Sequence, residues 1–284
     1  MRILMVANDS LHARVVLCLG AQIARRAGEP PTVLAVSENK VDRTLASADV
    51  ILARARKLLE PEVTNVRTKV RMGRLAEEII CEAKEGNYDL VIMGEKPRCN
   101  LFARFLLGST AARVVKCAPC PVIIVKRKGG PINRILLCDS GAGNPWVRFS
   151  AGSLAPGRFT ARLADLLNDE GEITVLHVMS QMSAGPGVRG KHLRADAEEL
   201  IGEHTPEGRL LEQDIHILDR LGIHLHPKVR HGLVVDEIMA EAQEGDYDLV
   251  VIGAYRDGGW RRILFDNLAQ KIMIQLDRPV LVVR

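Results

Sequence analysis

The residues best suited to chemistry lie between Asp89 and Thr110. Asp89-Leu90-Val91-Ile92-Met93-Gly94 is followed by a polar loop, and Gly108-Ser109-Thr110 then opens a helix over Ala111–Lys116. Leu90 to Met93 is a continuous apolar run, as in a strand buried on both faces, and Gly94 ends it where the backbone turns freely. Ser109 and Thr110 are good cap types for the helix. Its first turn carries free N–H groups and the positive end of the helix dipole, a natural seat for a phosphate. The same residues also fit an ordinary capped βα connection.

Other constellations are weaker. The turn Ala7-Asn8-Asp9-Ser10 lacks the Gly-x-Gly-x-x-Gly of dinucleotide binders, and the chain has no Gly-x-x-x-x-Gly-Lys-Ser/Thr loop. Ser109 has no histidine that the sequence places beside it, so no nucleophile–base set is visible and no catalytic residue is expected. Cys117-Ala-Pro-Cys120 has redox spacing, but it follows a helix, where the dipole opposes a thiolate, and Pro119 and Pro121 explain it as a helix stop. His224 and His226 share one strand face by the period of two, with His231 nearby, but no carboxylate or cysteine stands at a fixed spacing to complete a metal set. No metal site is expected. Ser140-Gly-Ala-Gly143 lacks the downstream Asp-Ser of a pyrophosphatase-type loop, and Trp146 and Phe149 read as anchors of that loop.

The elements that position these residues come from a globular composition. The 284 residues are 47% hydrophobic and 26% charged, and aromatics are only 4%, so the cores must be aliphatic. The length suits two domains, and a net charge of +4 is too mild to indicate a nucleic-acid surface. Six cysteines in so long a chain are no disulfide framework. The first residues lack the parts of a signal peptide, and no apolar run approaches the ~18 residues of a membrane helix, so a cytoplasmic protein without membrane insertion is expected.

The strongest signal is an internal repeat. Residues 73–94 and 232–253 agree at about half of their positions at one offset, including Gly86-x-Tyr88-Asp89 with Gly245-x-Tyr247-Asp248. Thr32-Val33-Leu34-x-Val36 matches Thr174-Val175-Leu176-x-Val178, and Pro121-Val122 matches Pro279-Val280. Two domains follow, 1–128 and 132–284, joined by a linker near Lys128-Gly129-Gly130-Pro131. In the first copy, strands are expected at Arg2–Ala7, Thr32–Val36, Val66–Val70, Leu90–Met93 and Val122–Val125. Helices are expected at His12–Gly28, Val41–Leu59 and Leu75–Glu85, the last stopped by Gly86. The second copy repeats the strands at Arg134–Cys138, Ile173–Val178, His224–Val229, Leu249–Ile252 and Val280–Val283. It carries an inserted loop over Gly141–Gly157 and a helical region broken near Pro206 and Gly208. The fold class is α/β: two tandem doubly wound, Rossmann-like units, each a five-stranded parallel sheet flanked by helices, with a ligand at the carboxyl ends of the strands.

At these residues the chain resembles the universal stress protein family in its tandem form, over nearly its whole length. That family carries Gly-x2-Gly-x9-Gly-Ser/Thr after its fourth strand, then a helix and a Pro-Cys-Pro-Val-like entry to the fifth. Gly94, Gly108-Ser109-Thr110, Arg113 and Ala118-Pro119-Cys120-Pro121-Val122 stand in those places. The resemblance implies a stress-response regulator that binds ATP or AMP, with Mg if ATP is bound. Asn8, Asp9 and Val36 would face base and ribose, and Gly94, Gly108, Ser109 and Thr110 the phosphates. Asp139, Ser140 and Val178 are the second-copy counterparts.

Departures from the pattern matter. Pro97 replaces the second glycine and offers no N–H, the first-copy spacing is one residue long, and Asn8 stands where the family has aspartate. Lys96, Arg98 and Arg104 could supply positive charge in that loop. In the second copy Gly253 is kept, but Arg256 replaces the second glycine and Asp266-Asn267 replace Gly-Ser. A carboxylate at ~4 Å from a phosphate repels it by a few kcal/mol in a partly exposed setting. The second copy is therefore expected not to bind a triphosphate. The alternative is an interaction module of the same family that binds no nucleotide. Weak ATP hydrolysis is the most enzymatic activity the sequence allows. The family's pairing through fifth strands implies an intramolecular pseudo-dimer through Val122–Val125 and Val280–Val283, open to further homodimerisation, with a protein partner that the sequence does not name.

Overall fold

The computed structural model describes residues 1–8, 12–38, 42–95, 109–126, 130–139, 156–167, 172–179, 195–205, 208–209, 211–212, 215–216, 224–253 and 269–283. Two compact units emerge: Met1–Pro131 with Met273–Val282, and Ile132–Ile272 with Val283–Arg284.

The first unit alternates β1 (Ile3–Ala7), α1 (His12–Ala27), β2 (Thr32–Ser37), α2 (Asp42–Leu59), β3 (Arg67–Met72), α3 (Leu75–Glu85), β4 (Leu90–Gly94), α4 (Ser109–Cys117) and β5 (Val122–Val125). These strands run parallel in the order β3-β2-β1-β4-β5. β1, β4 and β5 are buried nearly throughout, which is why they read as unbroken aliphatic runs. Each fully buried Leu, Ile or Val contributes about 1.5–3 kcal/mol. Helix α1 lies so close to β1 that a Cβ on Gly20 would come within 2.0 Å of the Met5 sulfur. The edge strand β3 alternates instead, with Arg67, Lys69 and Arg71 on one face and Thr68, Val70 and Met72 on the other.

Three local expectations are corrected. β3 runs past Val70 to Met72. Ser109 and Thr110 lie inside α4 rather than capping it. Gly86 does cap α3, but in a right-handed conformation (φ −83°), and Asn87 takes the positive φ of 48°. The need for glycine is steric: a Cβ on Gly86 would sit 2.0 Å from the Tyr88 ring.

The second unit repeats the plan with β6 (Arg134–Asp139), α5 (Pro156–Leu167), β7 (Glu172–Met179), α6 (Ala197–Gly202), β8 (His224–His231), α7 (Val234–Glu244) and β9 (Leu249–Gly253). Its parallel strands run β9-β6-β7-β8. Pro156 starts α5, where a missing N–H is harmless, so the inserted loop ends before Gly157. The break in the long helical region falls at Glu203–Thr205; Pro206 lies outside the described residues. A helix at 269–275 (α8) leads to β10 (Val280–Val283). β10 pairs antiparallel with β5, Val280 opposite Ile124 and Val282 opposite Val122, as the expectation for the two fifth strands required.

Candidate functional site

The site is positioned by strand order. From β1 the first unit grows to β2 and β3 on one side and to β4 and β5 on the other, so the direction of winding reverses between β1 and β4. Ala7 pairs with Ala35, which sets Asn8, just beyond β1, beside Val36. Met5 pairs with Ile92, which brings the end of β1 alongside Gly94. Asn8, Val36 and Gly94 thus meet at the carboxyl end of one sheet, each partly buried. Ser109 and Thr110 form the first turn of α4, and Thr110 is partly buried. Asp9, Gly108, Pro97, Lys96, Arg98 and Arg104 lie outside the described residues.

One charged pair at this end was not foreseen. Glu95 follows Gly94, and its carboxylate is ion-paired with the amine of Lys126, just beyond β5. Lys126 is 6% exposed and also donates to the Met273 carbonyl. A bare carboxylate one residue from Gly94 would repel a phosphate; Lys126 offsets that charge.

In the second unit Asp139 ends β6, Val178 is buried in β7 and Gly253 ends β9. Ser140, the 141–155 part of the insertion with Trp146 and Phe149, Arg256, Asp266 and Asn267 lie outside the described residues.

The repeated residues build something the sequence reading missed: a buried carboxylate network in each unit. Glu82 of α3 is 1% exposed. It accepts from Lys69 at 2.6 Å, Arg71 at 3.0 Å and the Tyr88 hydroxyl at 2.9 Å. Arg71 also donates to Glu78 and Glu85, both at 2.7 Å. Glu241 of α7, 0% exposed, accepts from Lys228 and Arg230 and from the Tyr247 hydroxyl at 2.8 Å. Arg230 reaches Glu237 and Glu244, both at 2.9 Å. Burial pushes both carboxyls up, but the donors outweigh it and hold Glu82 and Glu241 below the ordinary carboxylate range. The tyrosine motif closes each network. Arg2 and Arg134 lie over the Tyr88 and Tyr247 rings, each 5.6 Å from the centroid. Asp89 accepts the Arg2 N–H at 2.7 Å, and Asp248 the Arg134 N–H at 2.9 Å, tying each first strand to its fourth. The available signal was a glutamate inside the apolar stripe of each helix, with two basic residues on the strand before it.

The remaining candidates separate. Cys117 is exposed and Cys120 buried, both free thiols, and burial raises Cys120 to about 12, so its thiolate is scarce near neutrality. Exposed His226 sits 3.0 Å from Glu172. Odd-numbered His231 falls on the opposite face of β8 from the pair read off the sequence. Among the described residues no group of three or more metal-ligating side chains comes together, and no helix is long and apolar enough to cross a membrane.

Comparison with known proteins supplies the family. The model of the universal stress protein family matches residues 1–126 and 150–284. Universal stress protein Slr1230 of Synechocystis is 26% identical over 204 residues, 68% of this chain and 67% of that one. MJ0531 of Methanocaldococcus jannaschii is 38% identical over 76 residues, 27% of this chain and 44% of its own length. A universal stress protein structure from Archaeoglobus fulgidus superimposes with a TM-score of 0.69 at 19% identity, covering 100% of this chain and 96% of that one, which shows the shared fold. A smaller structure, the A. fulgidus universal stress protein in complex with dAMP, covers 44% of this chain at a TM-score of 0.38. With the family model matched twice along an α/β chain whose halves repeat one plan, this protein belongs to the universal stress protein family.

Proposed function

We propose that the first copy, 1–128, binds an adenine nucleotide, ATP or AMP, and that occupancy biases a surface read by a protein partner in the cytoplasm. The observation that carries this reading is the reversal of strand order between β1 and β4, with Asn8, Val36 and Gly94 at neighbouring strand ends and Lys126 neutralising Glu95. Asn8, Asp9 and Val36 then take base and ribose, while Gly94, Gly108, Ser109 and Thr110 take the phosphates, with Mg accompanying ATP. The second copy, 132–284, carries Asp266-Asn267 where the phosphates would lie and stays free of triphosphate. Hydrolysis is at most weak, since the sequence places no histidine beside Ser109. The missing N–H at Pro97 favours the other reading, an interaction module without nucleotide.

The test is mass spectrometry of small molecules released from the purified chain, with thermal shifts in ATP and AMP. Wild type releases an adenine nucleotide and gains about 2.7 kcal/mol of stability at a hundredfold excess over Kd, a rise of several degrees in Tm. Gly108→Asp abolishes both. No released nucleotide and no shift with added ATP establishes the interaction module instead. Steady phosphate release that survives changes at Gly108 and Ser109 locates an enzyme elsewhere.

A further inference from the structure

The two copies treat their outer edge strands differently. β3 ends the first unit's strand order and β8 the second's, and among the described residues no strand pairs with the far side of either. Successive backbone groups of a strand point to opposite edges. The Arg67 N–H donates to the Pro31 carbonyl and the Gly73 N–H to the Ser37 carbonyl, so odd-numbered residues of β3 bond toward β2. The N–H and C=O groups of Thr68, Val70 and Met72 therefore face outward. Aligned on Arg71 and Arg230, their counterparts in β8 are Pro227, Val229 and His231. There the Gly232 N–H donates to the Met179 carbonyl, so these odd-numbered residues are again the outward ones. Pro227 offers no N–H, and its ring obstructs an incoming strand. The second copy's edge is thus blunted, while the first copy's keeps an unbroken row of donors and acceptors.

That row is flanked by positive charge. Lys69 and Arg71 are paired to Glu78, Glu82 and Glu85 of α3. Arg67 is exposed and enters no ion pair among the described residues. On the other face Arg56 of α2 donates to the Thr68 hydroxyl at 3.0 Å, which holds a second guanidinium beside the row. At the Arg67 position the second copy has His226, 3.0 Å from Glu172. Val70 is half-buried and Met72 is 42% exposed, so an added strand also meets apolar surface. A second copy of this chain is a poor occupant, because antiparallel pairing of β3 with itself sets like charges across the strands. Nucleic acid supplies acceptors for the guanidinium groups but no row of donors for the carbonyls. An extended acidic segment satisfies the backbone row and sets carboxylates against Arg56 and Arg67.

We propose that the free edge of β3 binds an extended acidic segment of a partner protein by strand addition. This interface does not rest on nucleotide in the first copy, and the second copy, with Pro227 and His226, has no counterpart.

The test uses the nucleotide-free full chain and a short synthetic peptide of repeating Glu-Val-Thr, which sets carboxylates on both faces of a strand; a Lys-Val-Thr peptide is the control. The acidic peptide binds, and high salt weakens it. Residue-resolved hydrogen exchange then gains protection at the amides of Thr68, Val70 and Met72, whereas those of Arg67, Lys69 and Arg71 change little. Arg67→Gln weakens binding about two- to fivefold, as for one exposed charge pair. Thr68→Pro, which copies the second copy's residue, weakens it about tenfold. The matched His226→Gln leaves it unchanged. Melting temperatures show that the variants fold, and Arg67→Gln decides alone if Thr68→Pro does not. No binding of the acidic peptide, equal binding of the Lys peptide, protection away from β3 or full affinity in Arg67→Gln overturns the proposal. So does self-association of the chain through the same amides, or their protection by a single-stranded oligonucleotide in place of the peptide.

Discussion

Glu82 and Glu241 show how a carboxylate survives burial. Removing one from water costs several kcal/mol unless donors replace the solvent. Here Lys69, Arg71 and Tyr88 do so for Glu82, and Lys228, Arg230 and Tyr247 for Glu241. Because both folded-state values lie below the ordinary 4.5, the charged networks stabilise each unit fully above about pH 4.5 and lose that contribution as pH falls through the lowered values. Melting temperatures measured from pH 7 downward therefore drop on the acid side. The double variant Glu82→Gln, Glu241→Gln starts less stable, by about 1–3 kcal/mol per site, and shows a shallower acid limb. An acid limb as steep as wild type would mean that other carboxylates dominate. The individual residues were legible as repeated letters, but a glutamate inside an apolar stripe reads equally as a helix edge until its partners on β3 or β8 are placed against it.

At the scale of the element, the turn after α3 and α7 carries the packing. Gly86 and Gly245 face the rings of Tyr88 and Tyr247, with would-be Cβ distances of 2.0 and 2.1 Å. Gly86→Ala must push the ring aside and loosen its bond to Glu82, a loss of about 1–3 kcal/mol, read as a lower urea midpoint with unchanged slope. Asn87→Gly, at a positive φ of 48°, changes stability by only a few tenths of a kcal/mol in the same assay. The sequence marks this turn clearly through Gly-x-Tyr-Asp. It cannot say that the glycine serves a ring rather than a left-handed cap, because that depends on where the tyrosine returns. Likewise the period of two places His224 and His226 on one face, but only the pairing of β7 with β8 sets His231 opposite Met179.

For the whole molecule, the decisive feature is the last strand. Segment Met273–Val282 is counted with the first unit, and β10 covers the edge of β5, whose four residues are all buried. A chain ending at residue 131 leaves that aliphatic edge open, and exposed apolar edges pair with other copies. Such a fragment is expected to self-associate in sedimentation velocity and to melt below the full chain. A monomeric fragment with undiminished stability would show that β10 adds nothing to the first unit.

Local chemistry told by itself that this chain is α/β and duplicated. Apolar runs, 3.6-residue stripes and a constant repeat offset are properties of neighbours along the chain; the same local reading marks Gly94 and Ser109 as candidates, while Asn8 is implied by the family resemblance. Strand order, the burial of Glu82 and Glu241 and the Glu95–Lys126 pair belong to the tertiary structure alone. Each is set by what lies across a sheet or beneath a helix, and residues distant in sequence carry no record of that distance until the chain has folded.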